Sequence, residues 1–309
     1  MYLRNTLFRL HPCAPCYMCS GDGLEMFESA PRRAPCVVYF HPPWYVGWRY
    51  ALRIMRKVRN LKRKGVRVVI CCNERGECFH LSMLNVENEF LNQNMHLPES
   101  VFRPIEVDLR YEAVYAARAS KFKRVHLASM VSKLFIITYA CPNKDTNGRN
   151  DLHGYEPRVS HCEFNRNFID SHDDLCRIYS SSSCGLALSA KEGAMWASME
   201  YLMCGLPVVT TRNIGGRDFY LHEDYAKWVD PDPNSIYQAV CEFVNCPIDR
   251  RKIRNSVLKL VKGERVRFLQ RCNNDLIQGG HSLTSYDYIW GGISGIYDNR
   301  EEIKAGSIS

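Results

Sequence analysis

Short, almost wholly apolar runs alternate along this chain with longer amphipathic ones. "CVVYF", from Cys36, has no polar gap and ends at "HPPW", the pattern of a strand buried on both faces. "GWRYALRIMRKVRNLKRKG" follows, with Leu52, Met55 and Val58 at helical spacing, a basic outer face and Gly65 as a stop. "VRVVICCN" then returns to a continuous apolar run. Strand, helix and strand within about forty residues predict a right-handed parallel unit, a sheet covered by helices. The alternation resumes with "YEAVYAAR", "KLFIITYA", "CGLALSA" and "LPVVTT" as strands, and with "FIDSHDDLCRIYSSS" and "AMWASMEYLMC" as helices. The fold class expected is α/β, with a second unit between Asp108 and Phe243.

The remaining segments read differently. Residues 1–34 contain Pro, Cys and "PRRAP" without periodicity and are expected to be an N-terminal extension. "PNKDTNGRNDLHGYEP" reads as a long surface loop. After Pro247, "DRRKIRNSVLKLVKGERVRFLQRCNNDLIQ" predicts one or two helices, and the Gly- and aromatic-rich "GGHSLTSYDYIWGGISG" an irregular tail. The expected division is 1–34, 35–106, 107–245 and a C-terminal part, 246–309, whose helices pack back on the first domain.

With 309 residues, 46% of them hydrophobic, the chain can bury a large core. A net charge of +8 favours anionic partners without naming one. The fifteen cysteines mostly sit in apolar runs, as Cys71, Cys72, Cys141, Cys184 and Cys204 do, which points to small hydrophobes in a reducing compartment. His11, Cys13, Cys16 and Cys19 have metal-like spacing, but no second Cys-x-x-Cys pair completes a site, and the stretch is expected to be a mobile leader. No apolar run approaches the roughly 18 residues that cross a bilayer, and the start lacks a secretory h-region. A cytoplasmic location is expected; an organelle transit peptide, suggested by Arg4 and Arg9 ahead of Asp22, is the second reading.

The densest chemistry lies in "SAKEGAMWASMEYLMCGLP", where Glu192 and Glu200 stand eight positions apart. A helix beginning just after Glu192 and stopping at Gly205, with Pro207 beyond, would place one carboxylate at its mouth and one two turns inside. Eight residues of helix separate backbones by about 12 Å. Glycosidase carboxylates stand about 5 to 9.5 Å apart, so this spacing instead suits two contacts on an extended ligand such as a nucleotide sugar. The amides of Gly193, Ala194 and Met195, at a positive helix end, would accept a diphosphate between them.

E-x7-E after a strand, then Cys-Gly-Leu-Pro-Val-Val and Gly215-Gly216, resembles the donor-binding segment of retaining glycosyltransferases of family 4, whose fold is GT-B: two Rossmann-like domains facing a cleft. That resemblance implies that Glu192 contacts the donor sugar and Glu200 the ribose hydroxyls. It also gives meaning to Arg118 and Lys123, which reproduce the family's Arg-x4-Lys after the first strand of the donor domain, with Lys121 and Arg124 nearby. Paired cations there would neutralise charge growing on the departing nucleoside diphosphate. On this reading 35–106 is an acceptor domain reduced to a few strands, and 107–245 the donor domain.

"NIGGRDFYL" would put Gly215 and Gly216 in a turn at the ligand, with Asn213, Arg217 and Asp218 at its rim; the alternative is a tight turn after the strand, with Arg217 paired to Asp218 or Glu223 on the surface. In the first domain "HPPWYVGWR" takes the place of the family's glycine loop, with Gly47 at the matching position. Trp44, Tyr45 and Trp48 could carry a sugar ring or pack an interface, and His41 could assist an acceptor hydroxyl or be structural. "DPD" at Asp230–Asp232 reads as a loop, so no metal site and no cofactor beyond a UDP- or GDP-sugar co-substrate is expected. The partners expected are that nucleotide sugar and a glycan, lipid-linked or protein acceptor. The basic helix 48–64 reads as a solvated face or a peripheral membrane contact, and nucleic acid is not expected. The function expected is a metal-independent retaining glycosyl transfer, against a non-catalytic nucleotide-sugar or glycan-binding protein and a membrane or nucleic-acid adaptor.

Overall fold

A computed structural model describes residues 7–29, 35–139 and 141–299 of the chain; Arg4 and the first four residues of "PRRAP" lie outside them. It divides into two units, one comprising 1–98, 215–219 and 261–309, the other 99–214 and 220–260.

The first unit holds β1 (Leu7–Arg9), β2 (Cys16–Ser20), α1 (Gly23–Ser29), β3 (Cys36–His41), α2 (Trp48–Arg63), β4 (Val66–Cys72), α3 (Arg75–Ser82) and β5 (Asn88–Phe90). Its five strands lie in the order β1-β2-β3-β4-β5, parallel except for β1 against β2. From β2 onward each strand is laid beside the last in one direction. Right-handed crossovers then place all three connecting helices on one face of the sheet. Val38, Phe40, Val68 and Ile70 pack there against Leu24, Phe27, Ala51, Ile54 and Leu61.

Over residues 7–29 this corrects the reading of 1–34 as an extension and of its cysteines as a mobile leader. Cys16 pairs with Val37 and Cys19 with Phe40 in a parallel ladder, and both cysteines are buried. The ladder supplies backbone partners that a five-residue run could not supply alone, and the thiols serve as small apolar groups. His11 is buried too, its Nδ1 accepting from the amides of Cys13 and Ala14 at 3.1 and 2.8 Å. Among the described residues no cluster of three metal-ligating side chains forms, and no helix is long and apolar enough to cross a membrane.

The second unit holds β6 (Tyr111–Ala116), β7 (Leu134–Ile137), α4 (Leu152–Tyr155), β8 (Glu163–Phe164), α5 (His172–Ser180), β9 (Ser182–Ala187), α6 (Trp196–Met203), β10 (Val208–Thr211), β11 (Ala226–Val229) and α7 (Pro233–Asn245). Its six strands are all parallel, in the order β11-β10-β9-β6-β7-β8. From β6 the chain runs outward to β7 and β8, then returns to the other side of β6 for β9, β10 and β11. The strand order therefore reverses between β6 and β9, where an α/β sheet opens a crevice at its carboxyl edge.

A single helix, α8 (Arg250–Gln278), follows, its first part belonging to the second unit and its remainder, from Val261, to the first. In the second unit Arg254 donates to the carbonyls of Phe102 and Glu99 at 2.6 and 2.7 Å. In the first, Arg265 donates to those of Met95 and Leu97 at 2.8 and 2.7 Å, and Tyr39 of β3 meets the Phe268 ring edge-on at 5.2 Å. The tail expected to be irregular instead forms α9 (Tyr286–Asn299). Ile289, Trp290 and Ile293 make its buried stripe, and Gly292 lies 2.8 Å, measured from an added Cβ, from the Phe8 ring. Packing of that stripe outweighs the low helix propensity of its glycines.

Candidate functional site

Three loops leave the carboxyl ends of adjacent strands β6, β9 and β10. They are tied to one another through their backbones. The amide of Ala190 donates to the Phe122 carbonyl at 3.3 Å, that of Ile214 to the Ala190 carbonyl at 3.0 Å, and that of Glu192 to the Ile214 carbonyl at 3.0 Å. Arg124, in left-handed backbone at φ 52°, reinforces the arrangement. Its guanidinium donates to the Leu188 carbonyl at 2.6 Å and to the Thr211 hydroxyl at 2.7 Å, after β9 and at the end of β10.

Lys123 and Glu192 meet at the reversal of strand order. The Lys123 ammonium donates directly to the Glu192 carboxylate, and each side chain is only 7% exposed. Tyr115, at the end of β6, holds Lys123 from behind by donating its hydroxyl to the Lys123 carbonyl. Two opposite charges removed from water compensate each other here, and loss of either would strand its partner. Arg118, five positions earlier, is exposed and makes no ion pair among the described residues.

The helix expected to begin just after Glu192 begins four residues later, at Trp196. Lys191 is engaged in a parallel bridge with Ile214, and Met195, at φ 51°, caps the helix in left-handed backbone without a side-chain cap bond. Glu192, Gly193 and Ala194 therefore belong to a buried loop, and the helical rise does not measure the distance between the two glutamates. The residue is non-glycine in a conformation that costs about 1 kcal/mol or more, which the surrounding bonds sustain.

Glu200 lies inside α6, only 3% exposed, and accepts the Tyr179 hydroxyl at 2.5 Å. Burial pushes its carboxyl up to about 7, the Tyr179 hydroxyl pulling the other way. Tyr201, next to it, crosses the sheet: its hydroxyl accepts the Ala116 amide at 2.6 Å, at the end of β6. Gly185 of β9 makes this crossing passable, since a Cβ there would lie 2.3 Å from the Tyr201 ring. Tyr179 and Tyr201 meet edge-on at 5.1 Å. Neither tyrosine is marked by the linear pattern around the glutamates, because Tyr179 reaches Glu200 from the preceding helix and Tyr201 reads as an ordinary apolar helix position.

The other candidates lie in the first unit. Gly215, at φ 118°, and Gly216 belong to it, and Gly216 packs on Asn73, whose carbonyl oxygen would be 2.3 Å from an added Cβ. Asn92 donates to the Gly216 carbonyl at 2.8 Å. The close approach that requires a glycine is thus to the chain's own backbone. Arg217 is buried rather than at a rim, with Asp218 at 2.6 Å. His41, 2% exposed, shares an Nε2–Nε2 hydrogen bond of 3.1 Å with His96, and burial pushes it down to about 3. Gly47 caps α2 in ordinary extended backbone at φ −76°, a Cβ there meeting the Tyr45 ring at 3.3 Å. Trp44 is half exposed.

Residues 148–246 match the sequence profile of a family described as "Glycosyl transferases group 1". The matched stretch includes Glu192, Glu200, Gly215 and Gly216 and excludes Arg118 and Lys123. No curated protein matches the sequence. Solved structures do: TarM of S. aureus, with a TM-score of 0.60 at 13% identity over 83% of this chain and 54% of TarM; HepE of Anabaena in complex with UDP, 0.58 at 11% over 91% and 78%; and sucrose-phosphate synthase of Thermosynechococcus elongatus, 0.57 at 14% over 93% and 73%. The chain spans about half the length of TarM. At these identities the likeness establishes the fold, which is GT-B with two Rossmann-like units, and the matched profile places a group 1 glycosyltransferase segment in residues 148–246.

Proposed function

We propose that the chain is a retaining glycosyltransferase of the family 4 type, which moves a sugar from a nucleotide-sugar donor held by its second unit to a glycan, lipid-linked or protein acceptor. The observation that carries this reading is the buried Lys123–Glu192 pair at the point where the strand order of the second sheet reverses. A crevice at that place is where open α/β sheets bind ligands.

In the proposed complex the Glu192 carboxylate accepts hydrogen bonds from the donor sugar's hydroxyls, and Lys123 and Arg118 face the diphosphate. As the bond from the anomeric carbon to the diphosphate oxygen breaks, its electron pair leaves with the nucleoside diphosphate. The two cations stabilise that growing charge more than the ground state, which is what lowers a barrier. With these cations in place the transfer is proposed to need no metal. The uncapped start of α6 adds partial positive charge. Glu200 takes the ribose hydroxyls, its second oxygen remaining on Tyr179.

HepE has been solved with UDP, with UDP-glucose and with UDP and glucose, and TarM with UDP, which makes uridine donors the first to test here. The test is calorimetric titration with UDP, GDP, ADP and their common sugar conjugates, followed by assay of released nucleotide, with Arg118→Ala and Glu200→Ala as controls. Binding lost in both variants and slow donor turnover in the parent are expected. Binding without turnover would leave a nucleotide-sugar-binding protein, and no binding would remove the donor site altogether.

A further inference from the structure

The first unit carries a surface that the donor-site reading does not use and that does not depend on it. No acidic residue occurs between Trp48 and Gly65. Helix α2 buries Ala51, Ile54 and Leu61 against the sheet, which turns Arg49, Leu52, Arg56, Arg59 and Arg63 outward. Arg49, Arg56 and Arg63 recur every seven residues and so form one stripe, about 21 Å long at helical rise. None of these arginines makes an ion pair among the described residues, whereas Lys57, on the flank facing α1, is taken by Glu25 at 3.0 Å and Glu28 at 3.7 Å.

At the amino end of the stripe the surface becomes apolar. Trp48 is 48% exposed, Phe79 59%, Met83 63% and Leu52 39%. Trp48 and Phe79 meet edge-on at 6.2 Å, so the projecting groups of α2 and of α3 with its cap form one patch. A contiguous exposed apolar patch rimmed by solvated arginines marks an interaction surface.

We propose that this face of α2 and α3 docks on an anionic lipid bilayer, with Trp48, Leu52, Phe79 and Met83 entering the interface and Arg49, Arg56, Arg59 and Arg63 on the headgroup phosphates. Charge complementarity selects an anionic occupant, and the apolar patch selects one with a hydrocarbon boundary. A nucleic acid backbone would satisfy the arginines and leave Leu52 and Met83 exposed.

The experiment is cosedimentation of the whole chain, without nucleotide, with vesicles of phosphatidylcholine alone and of phosphatidylcholine mixed with phosphatidylserine, at low and high salt. Binding is expected on the mixed vesicles only, weakening steeply with salt. Arg49→Gln/Arg56→Gln/Arg63→Gln is expected to weaken it about 100-fold, from about fivefold per cation. Trp48→Ser/Phe79→Ser is expected to weaken it roughly tenfold, by removing apolar area from the interface. Tryptophan emission should be quenched by bromine-labelled acyl chains in the parent and not in Trp44→Phe/Trp48→Phe. All these side chains are exposed, so the variants should keep the parent's circular dichroism and melting temperature. Absence of binding to mixed vesicles, equal binding by the triple-arginine variant, or tighter binding to an oligonucleotide than to vesicles would overturn the proposal.

Discussion

Glu200 gives the sharpest test of whether the site's carboxylates work as proposed. Its carboxyl is raised by burial to about 7 from an ordinary 4.5. Between those values the folded chain holds a proton that the unfolded chain has released. Stability conferred by that proton is complete below about 4.5 and is lost as pH rises through about 7. At 1.36 kcal/mol per unit of displacement, the loss across the window is about 3 kcal/mol. Glu200→Gln keeps an oxygen for the Tyr179 hydroxyl and cannot ionise. Urea unfolding of parent and variant from pH 4 to pH 8 should therefore give curves that diverge, the variant gaining about 3 kcal/mol on the parent at the alkaline end. Glu77, in the first unit, is also pushed up to about 7 by burial, but it is present in both proteins and cancels in the difference. Parallel curves would refute the reasoning, since they would mean that Glu200 ionises as freely folded as unfolded.

The same residue ties stability to ligand binding. Ribose hydroxyls donate to a carboxylate, so a ligand held that way favours the ionised form, and its affinity should climb about tenfold per pH unit below 7 and level off above it. In Glu200→Gln the affinity should be weaker and flat. A parent whose stability follows pH while its UDP affinity does not would make Glu200 a buried structural acid and remove the ribose contact from the mechanism.

Three further outcomes are expected. Lys123→Met should cost about 3–5 kcal/mol of stability by stranding the Glu192 charge, and Lys123→Met/Glu192→Met should restore most of it while abolishing donor binding; urea midpoints and calorimetry together check this. Gly185→Ala should push the Tyr201 ring off β9 and break its bond to the Ala116 amide, costing about 1–3 kcal/mol and loosening the ligand site as well, read as a lower melting temperature and weaker UDP binding. Gly216→Ala should cost about 1–3 kcal/mol through its clash with the Asn73 carbonyl, measured by thermal unfolding.

The elements that the chain's apolar periodicity marks clearly, β3, α2 and β4 in the first unit and β6, β7, α5, β9 and β10 in the second, are where the structure puts them, whereas α4 (Leu152–Tyr155) lies in the segment expected to be a loop. Each of the former is long enough, or apolar enough, to be specified by its own residues. β2 is not legible because "CYMCS" is only five residues long and follows directly on Pro15; its partner is β3, twenty-one residues later at the first pair of the ladder, and only that ladder makes it a strand. α9 was hidden by Gly291 and Gly292, whose helical state depends on burying Ile289, Trp290 and Ile293. At the site, Lys123, Glu192 and Glu200 were visible because their spacing survives in one dimension. Tyr179, Tyr201 and Gly185 are not, since each acts on another element: Tyr179 on Glu200 from the preceding helix, and Tyr201 past Gly185 of β9 on the Ala116 amide of β6. The start of α6 was misplaced because Met195 sits in a backbone conformation that no property of methionine signals.

The two sheets also differ in a way that bears on where chemistry can occur. In the first unit β2 to β5 progress in one direction, so consecutive loops at the carboxyl edge leave on the same side and no reversal separates them. In the second, the chain leaves β6 toward one side and β9 toward the other, and the buried cation and carboxylate that meet between them stand on the loops after those two strands. Topology alone would thus put a bound phosphate in the second unit, whatever the first contributes. The Gly215–Phe219 segment follows the same logic: Ile214 is bonded to Ala190 and Glu192, while Gly216 is bonded to Asn92 and pressed on Asn73. Substitution at Glu192 should therefore change ligand affinity, whereas Gly216→Ala should act first on the packing of the first unit; a loss of UDP binding in Gly216→Ala at unchanged melting temperature would return that glycine to the ligand.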